Sequence, residues 1–206
     1  MSERSRHRRD PLSPGTLPPW IGESGGRRAL FVDGVVQSVD PDDAAGGYWQ
    51  AMLPEQRPAS ALLLGLGGGT VAHLLVRRFG PLPITGVDTS DEIIAVARVE
   101  FALAQLPLTI VQADALQYVH HTAERFGYIA VDLYRGNRLA RGVLALPFLR
   151  ALAARLLPGG ALAFNLFADT YLQGRLPRLE RVFERLRLEI VGANAIFHGR
   201  PRRSQR

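Results

Sequence analysis

The sequence predicts an α/β domain in which helices cover both faces of a mostly parallel sheet, preceded by a small β-hairpin. Three observations lead to this prediction. From residue 60 onward, short apolar runs alternate with helical apolar patterns, which is typical of a parallel sheet. The apolar run at 61–64 leads directly into a glycine-rich loop. An Asp33-Gly34 pair separates two mainly apolar runs, which is a strong hairpin signal.

The chain length of 206 residues suits one domain with a substantial core and short appendages. We expect four segments. Residues 1–25 are rich in Arg, Ser, Pro and Gly and predict a flexible basic tail, because they offer little apolar surface to bury. The hairpin appendage should follow at 26–55, a Rossmann-like domain at 56–199, and a basic C-terminal tail at 200–206.

The composition excludes several classes of protein. No apolar run reaches the length of a membrane helix, and the basic N-terminus lacks the apolar segment of a secretory signal, so we expect a cytoplasmic protein without a membrane partner. The lack of cysteine excludes disulfides, thiolate metal sites and a cysteine nucleophile. All 25 basic residues are arginine, which excludes a Schiff-base lysine and the lysine of a P-loop.

The formal net charge of +6 does not by itself predict nucleic-acid binding. Most of this charge comes from arginines at the two ends of the chain, and the segment between them is close to neutral. Basic ends can hold nucleic acid, but short unpatterned ones are more often solvated. We therefore expect a small-molecule partner rather than a nucleic acid.

The elements of the main domain follow in order. We place its strands at 61–64, 84–88, 108–112, 127–132 and 161–167, with a last pair at 188–191 and 195–198. The helix after the second strand should begin at a capping box of Thr89 and Glu92. Another helix should span 145–157 and stop at Pro158. A further helix should carry an apolar face made of Leu176, Leu179, Val182, Phe183 and Leu186.

The glycine-rich loop is the strongest functional signal. Four glycines, Gly65, Gly67, Gly68 and Gly69, stand between the first strand and its helix. Glycine permits a tight turn and a close ligand approach, and the following helix points free N–H groups at that ligand. The second strand ends at Asp88, about 20 residues further on, where a carboxylate can take the hydroxyls of a ribose. The loop therefore predicts a nucleotide-type ligand.

Two more carboxylates follow the next strands. Asp114 follows the third strand and precedes Ala115, and Asp132 ends the fourth. One such acid is commonly a helix cap or a surface residue, but acids after three consecutive strands favour a ligand site at the carboxyl edge of the sheet. A dinucleotide fingerprint would need glycine at Thr70, which weakens an NAD or FAD interpretation. The layout fits a sulfonium nucleoside better.

The order of these motifs resembles the spermidine synthase family, which has the fold of the S-adenosylmethionine-dependent methyltransferases. The resemblance covers about residues 28–170 and includes the hairpin at 32–37, the tyrosine-bearing segment at 48–52 and the turn at 158–160. It implies ribose binding by Asp88 and adenine binding by Asp114 and Ala115. It also implies that S-adenosylmethionine or its decarboxylated form is the donor substrate, without a metal.

We expect contacts with a small acceptor, such as an amine, from Gln37, Tyr48, Tyr134 and Arg135. For Tyr48 the alternative is an anchor for the hairpin, and for Tyr134 and Arg135 a purely structural loop role. A homodimer that pairs through the hairpin is also expected. His73, His120 and His121 have no metal-site spacing and should be solvated or capping residues.

Two positions depart from the family pattern. Family aminopropyltransferases carry an acid in the glycine loop where this chain has Gly68, and a second acid after the fourth strand where it has Arg135. Gly68 removes a charge that would repel the carboxylate of intact S-adenosylmethionine, and Arg135 would oppose a polyamine dication. The resemblance therefore favours aminopropyl transfer, whereas these changes favour methyl transfer.

Asp132 is the candidate catalytic residue, as a base or as a group that orients an amine. A sulfonium leaving group is already activated, so alignment of the nucleophile and removal of its proton are the main tasks. Two alternatives remain open. Asp132 could cap the next turn, and the chain could be a catalytically silent nucleoside-binding or scaffolding protein.

Overall fold

The structure, a computed structural model, describes residues 18–40, 42, 47–135 and 138–202. Residues 1–17 and 203–206 of the predicted tails lie outside these residues, whereas Arg200 and Pro201 of the predicted C-terminal tail belong to the last strand. The strands of the described chain are β1 (Trp20–Ser24), β2 (Arg27–Val32), β3 (Val35–Val39), β4 (Ala61–Leu64), β5 (Ile84–Asp88), β6 (Leu108–Gln112), β7 (Phe126–Val131), β8 (Tyr134–Arg135), β9 (Arg138–Leu139), β10 (Leu156–Phe167), β11 (Phe183–Val191) and β12 (Asn194–Pro201). The helices are α1 (Tyr48–Ala51), α2 (Thr70–Phe79), α3 (Asp91–Glu100), α4 (Ala115–His121), α5 (Leu146–Ala154) and α6 (Leu172–Glu180), with a short 3₁₀ helix at Leu103–Gln105.

The N-terminal sheet has three antiparallel strands in the order β1-β2-β3. Asp33 and Gly34 form the turn between β2 and β3 with φ angles of 51° and 76°, the left-handed conformation that a two-residue hairpin turn requires. This confirms the predicted hairpin. Strand β1 corrects the predicted tail over 1–25, because it begins at Trp20, whose ring stacks on Phe31 with the centroids 4.3 Å apart.

The main sheet has seven strands in the order β11-β12-β10-β7-β4-β5-β6. The strands from β10 to β6 pair in parallel, and β12 runs antiparallel to both of its neighbours. This confirms the predicted mostly parallel sheet. The chain leaves β4 toward β5 and β6 and then returns on the other side as β7. The boundary between β4 and β7 is therefore the topological switch point, where ligands bind in such sheets.

Both faces of the sheet are covered. Leu63 of β4 belongs to one apolar cluster, and its neighbours Leu62 and Leu64 belong to another. The first cluster includes residues of the N-terminal sheet and of α1, α2 and α3, whereas the second includes residues of α4, α5 and α6. Successive side chains of a strand point to opposite faces, so helices pack on each side as the sequence predicts.

The start of α3 and the end of α5 differ from the prediction. The N-cap of α3 is Ser90 rather than Thr89, because Ser90 Oγ accepts a hydrogen bond from the Ile93 N–H at 3.1 Å. The helix predicted at 145–157 is α5, which ends at Ala154. The chain then enters β10, whose pairing with β7 shifts register across the Pro-Gly-Gly turn.

The predicted helix with an apolar face up to Leu186 also ends early. Helix α6 stops at Glu180, and Phe183 and Leu186 belong to β11. Apolar residues at these intervals fit either a helix or a strand, and pairing with β12 decides the outcome. The short β8 and β9 pair was not predicted, whereas the last strand pair is confirmed and longer than expected.

Candidate active site

The glycine-rich loop lies at the carboxyl end of β4 and is held from two sides. The Gly67 N–H donates to Asp88 Oδ2 at 3.0 Å, and the Gly68 N–H donates to Ser38 Oγ at 2.7 Å. The Ser90 N–H donates to the other Asp88 oxygen at 3.2 Å. Asp88 therefore shapes the loop itself, and its predicted contact with a ribose stays a prediction.

Two of the loop glycines are required by close packing. Gly65 has a φ of +85°, and a Cβ there would overlap the carbonyl oxygen of Asp132. Gly69 has a φ of +78°, and a Cβ there would overlap Leu103. Both positions need a left-handed conformation without a side chain, which favours glycine. As a result the loop lies directly against the end of β7, where Asp132 stands.

Gly68 has no free space for a side chain. A Cβ there would lie 2.6 Å from Ser38 Cβ and 3.2 Å from Phe101 Cδ2. Ser38 is only 2% exposed. The next residue, Val39, is tied to Thr70, whose Oγ1 accepts from the Val39 N–H at 3.3 Å and donates to the Val39 carbonyl at 2.9 Å. The hairpin therefore occupies the space that an acidic side chain would need in this loop.

Asp132 follows β7 and accepts two hydrogen bonds. The Tyr48 hydroxyl donates to Asp132 Oδ2 at 2.8 Å, and Asn165 Nδ2 donates to Asp132 Oδ1 at 2.9 Å. Burial raises the pKa of Asp132 above its ordinary value, and the two hydrogen bonds partly oppose this shift. A carboxylate with a raised pKa is a better proton acceptor, which suits the predicted base.

Two tyrosines flank the Asp132–Asn165 pair. Burial, followed by the nearby charge of Asp132, raises the pKa of Tyr48 well above its ordinary value, so its hydroxyl stays a donor. The Tyr134 hydroxyl donates to the backbone carbonyl oxygen of Asn165 at 3.2 Å, and the Tyr134 ring packs edge-on against Phe167. The structure thus brings three of the predicted site residues, Tyr48, Asp132 and Tyr134, together at the switch point of the sheet.

Asn165 is a site residue that the sequence reasoning missed. It lies in β10, is 2% exposed, and its Oδ1 accepts no hydrogen bond within the described chain. A buried acceptor without a partner costs about 1–3 kcal/mol, so an N–H donor on a ligand would be favourable there. No local signal reveals this residue, because its place beside Asp132 depends on the pairing of β10 with β7.

The remaining predicted residues have more varied surroundings. Asp114 caps α4, since its Oδ1 accepts from the Gln117 N–H at 3.0 Å, and Ala115 is the buried first residue of that helix. This is the capping role that is common for such acids, and adenine binding stays a prediction. Gln37 lies in β3 beside the glycine-rich loop. The backbone of Arg135 belongs to β8, whereas its side chain lies outside the described residues.

Two of the three histidines named above lie close to backbone carbonyl groups. His73 Nε2 lies 2.6 Å from the Phe101 carbonyl oxygen, and His121 Nδ1 lies 2.8 Å from the Gln117 carbonyl oxygen. Among the residues that the structure describes, no group of three or more potential ligands could hold a metal ion. Within the same residues, every helix is too short or too polar to span a bilayer.

The chain is similar to several known proteins in sequence and in fold. The family described as a methyltransferase domain matches residues 61–160. The polyamine aminopropyltransferase of Chromobacterium violaceum is 29% identical over 185 residues, which cover 84% of this chain and 71% of that protein. A probable spermidine synthase from Corynebacterium glutamicum superposes with a TM-score of 0.70 at 17% identity, over 93% of this chain and 81% of that one. Human methyltransferase-like protein 13 in complex with SAH gives a TM-score of 0.65 at 22% identity, over 81% of this chain and 83% of that one.

The solved structures and the sequence relative support different conclusions. The solved structures support the fold, whereas the sequence relative supports the resemblance to aminopropyltransferases. The relative is named as an enzyme, in agreement with the expectation that this chain is one. At Gly68, where family aminopropyltransferases carry an acid, the backbone N–H donates to Ser38 of the hairpin. The chain therefore has the fold of the S-adenosylmethionine-dependent methyltransferases, and its sequence is similar to that of polyamine aminopropyltransferases.

Proposed function

We propose that the chain is a spermidine synthase-like transferase that binds a sulfonium nucleoside and transfers its aminopropyl group to a small amine. The observation that carries this proposal is the hydrogen-bonded set of Tyr48, Asp132 and Asn165 at the switch point of the sheet. This set lies against the glycine-rich loop, where a Cβ at Gly65 would overlap the Asp132 backbone. Donor and acceptor would therefore meet at one place.

The donor would bind along the carboxyl ends of β4, β5 and β6. Asp88 would accept hydrogen bonds from the ribose hydroxyls through lone pairs that the Gly67 and Ser90 amides leave free. Asp114 and Ala115, at the start of α4, would contact the adenine. Human methyltransferase-like protein 13, which has a similar fold and was solved in complex with SAH, supports a nucleoside of this type. Glycine in the loop permits its close approach.

The acceptor amine would bind beside the hydrogen-bonded pair of Asp132 and Asn165. Both Asp132 and the unpartnered Asn165 Oδ1 can accept N–H donors, and Tyr48 holds Asp132 in place. The amine nitrogen would attack the carbon next to sulfur, so that an N–C bond forms while the C–S bond breaks. The electron pair of that bond goes to sulfur and leaves a neutral thioether. The amine proton passes to Asp132, whose burial makes it more basic.

Product analysis tests this proposal. The protein is incubated with 1,4-diaminobutane and either decarboxylated or intact S-adenosylmethionine, and the nucleoside products are separated by chromatography. Aminopropyl transfer releases methylthioadenosine, whereas methyl transfer releases S-adenosylhomocysteine. We expect methylthioadenosine from the wild type and at least a hundredfold less from Asp132→Asn. Equal release by both proteins would exclude Asp132 as the proton acceptor.

A second candidate function is methyl transfer from intact S-adenosylmethionine. The packing of Gly68 against Ser38 favours it, because an acid that would repel the donor carboxylate has no room in this loop. Formation of S-adenosylhomocysteine with a methylated acceptor would select this function. Nucleoside binding without turnover on any amine would instead support a catalytically silent or scaffolding protein.

Several finer expectations also stay proposals. We propose a homodimer in the cytoplasm, divided into the hairpin appendage and the Rossmann-like domain as predicted. Light scattering tests the dimer, and fractionation of cells that express the protein tests its location. Contacts between the acceptor and Gln37, Tyr134 or Arg135 are tested by the change in acceptor KM after substitution of each residue.

A further inference from the structure

Helix α1 carries Tyr48 but is only four residues long. A helix of one turn is not stable by itself, because few backbone bonds offset the entropy of ordering it. The last carbonyl groups of any helix also lack partners within the helix. Contacts from elsewhere must therefore hold α1, and with it Tyr48, in place.

Side chains from three strands of the main sheet bind the carbonyls at the end of α1. His198 Nε2 of β12 lies 2.7 Å from the Ala51 carbonyl oxygen. The Tyr128 hydroxyl of β7 donates to the Met52 carbonyl. Arg187 Nη2 of β11 donates to the carbonyls of Ala51 and Leu53 at 3.3 and 3.4 Å. Three successive carbonyls are thus satisfied from outside the segment that contains them.

The same strand holds α1 at both of its ends. Tyr128 and Asp132 are four residues apart along β7 and its extension, so their side chains point to the same face. Asp132 accepts the Tyr48 hydroxyl at the start of α1, and Tyr128 binds the Met52 carbonyl at its end. This spacing along a central strand fixes both the position and the orientation of α1.

Arg187 and His198 form a cross-strand pair beside this contact. They face each other in the register of β11 and β12, at a point where β11 contains a bulge between Arg185 and Arg187. A bulge turns a side chain away from its regular direction. His198 Nε2 must carry the hydrogen that it gives to the Ala51 carbonyl, so its approach to Arg187 Nη2 at 3.1 Å is a contact between two donors. The cation lies at the negative end of the helix, where it is favoured.

We propose that Arg187, His198 and Tyr128 are positioning residues that hold α1 so that the Tyr48 hydroxyl stays on Asp132. They act through the backbone of 51–53 and do not touch the reacting groups themselves. Strands β11 and β12 would thereby position the part of the site that binds the acceptor. The catalytic part of this inference rests on the proposed function, whereas the anchoring part does not.

Hydrogen exchange measured by mass spectrometry tests the anchor without any ligand. The variant is Arg187→Met, which keeps an apolar stem but removes the donors. Arg185→Met is the matched control, because Arg185 lies on the same strand and pairs with Glu180 at 3.3 Å. We expect peptides that cover 48–53 to exchange at least tenfold faster in Arg187→Met, and the β4 and β7 peptides to stay unchanged. The control should match the wild type.

A conservative variant keeps the test decisive. The ammonium of Arg187→Lys can still donate to a carbonyl, so its exchange at 48–53 should lie between those of the wild type and Arg187→Met. If Arg187→Met does not fold, the anchor is tested by comparing Arg187→Lys with the wild type, and faster exchange at 48–53 in Arg187→Lys is then the expected result. Exchange at 48–53 that is unchanged, or that rises equally throughout the molecule, would overturn the anchor.

Kinetics then test the link to the site. In the transferase assay, Arg187→Met should raise the acceptor KM or lower kcat at least fivefold, while the dissociation constant of the donor stays within twofold. Recovery in Arg187→Lys would support a positioning role. An equal loss of donor binding would contradict it. If no transfer is found in the wild type, the proposed function fails, and the exchange measurement still decides the anchor.

Discussion

The Tyr48 hydroxyl lies 2.8 Å from Asp132 Oδ2, although the two residues are 84 positions apart in the sequence. Tyr48 stands on a single helical turn after the N-terminal sheet, and Asp132 stands at the end of the central strand β7. This hydrogen bond joins the hairpin appendage to the switch point of the main sheet. It gives the carboxylate a fixed direction and leaves Asn165 Oδ1 beside it as a second acceptor.

Replacement of Asp132 by Asn should abolish transfer and preserve donor binding. The amide keeps the size of the side chain but cannot accept a proton, so we expect kcat to fall by about 10²–10⁴-fold. Steady-state rates and calorimetric donor binding measure the two effects. Asp33→Asn is the control, because Asp33 is exposed in the hairpin turn. Turnover that is unaltered in Asp132→Asn would remove its assigned role.

Tyr48→Phe should shift the pH dependence of transfer. This variant keeps the ring that stacks on Trp49 but loses the hydrogen bond that lowers the pKa of Asp132. Because the base must be ionised, a higher Asp132 pKa moves the acid limb of the kcat/KM profile to higher pH. Pre-steady-state or initial rates across pH 5 to 9 give this profile. The exposed Tyr171→Phe serves as control. An unmoved acid limb in Tyr48→Phe would show that this bond does not tune Asp132.

Gly68→Asp should destabilise the fold rather than improve selection of the decarboxylated donor. The new Cβ would lie 2.6 Å from Ser38 Cβ, so the hairpin must move. Overpacking of this kind costs about 1–3 kcal/mol, which denaturant unfolding measures. Adding Ser38→Gly should recover part of that loss by making room. Gly174→Asp is a control in open space. Full stability of the single variant together with a new preference for the decarboxylated donor would contradict this prediction.

His198 should make stability depend on pH. Burial lowers the pKa of His198 from its ordinary 6.5 to about 4, and the neighbouring Arg187 acts in the same direction. Between these two values the unfolded chain binds a proton that the folded chain does not, so the stability contribution falls as pH drops from 6.5 toward 4. The full effect is up to about 3 kcal/mol relative to His198→Gln, which keeps a donor for Ala51. Urea unfolding of both proteins from pH 4.5 to 8 measures the difference.

Above pH 6.5 the difference between these two proteins should be flat, because neither the folded nor the unfolded chain then holds the extra proton. Glu55 also lies near this group and raises its pKa, so Glu55→Gln should steepen the dependence slightly. A difference that does not change with pH would mean that His198 is not buried as a neutral donor.

Much of the fold could be predicted because its signals are local. The Asp33-Gly34 turn, the glycine-rich loop and the apolar runs of β4, β5, β6 and β7 depend on residues that are close in sequence. The errors arose where one pattern fits two structures. Phe183 and Leu186 suit a helix face or a strand, and the Thr89-Ser90 pair before α3 offers two caps, of which Ser90 is used.

The site could be predicted only in part, because some of its contacts join residues that are far apart in the sequence. Asp132 could be found from its place after a strand, and Tyr48 from a family resemblance. Asn165 and Ser38 could not be found, because their partners come from strand pairing and from the docking of the hairpin on the loop. The hydrogen bonds of Arg187 to the end of α1 also depend on tertiary packing, because the carbonyls that accept them are more than 130 residues away in the sequence.

Calorimetric titration with S-adenosylmethionine, its decarboxylated form and methylthioadenosine, with NAD as control, measures whether the donor site binds a nucleoside of this type. We expect saturable binding of at least one sulfonium nucleoside and none of NAD. Binding of the same nucleoside by Asp132→Asn should be within about twofold of the wild type. Preference for the decarboxylated form would favour aminopropyl transfer, and preference for the intact form would favour methyl transfer. Failure of all three nucleosides to bind would contradict the proposed donor site.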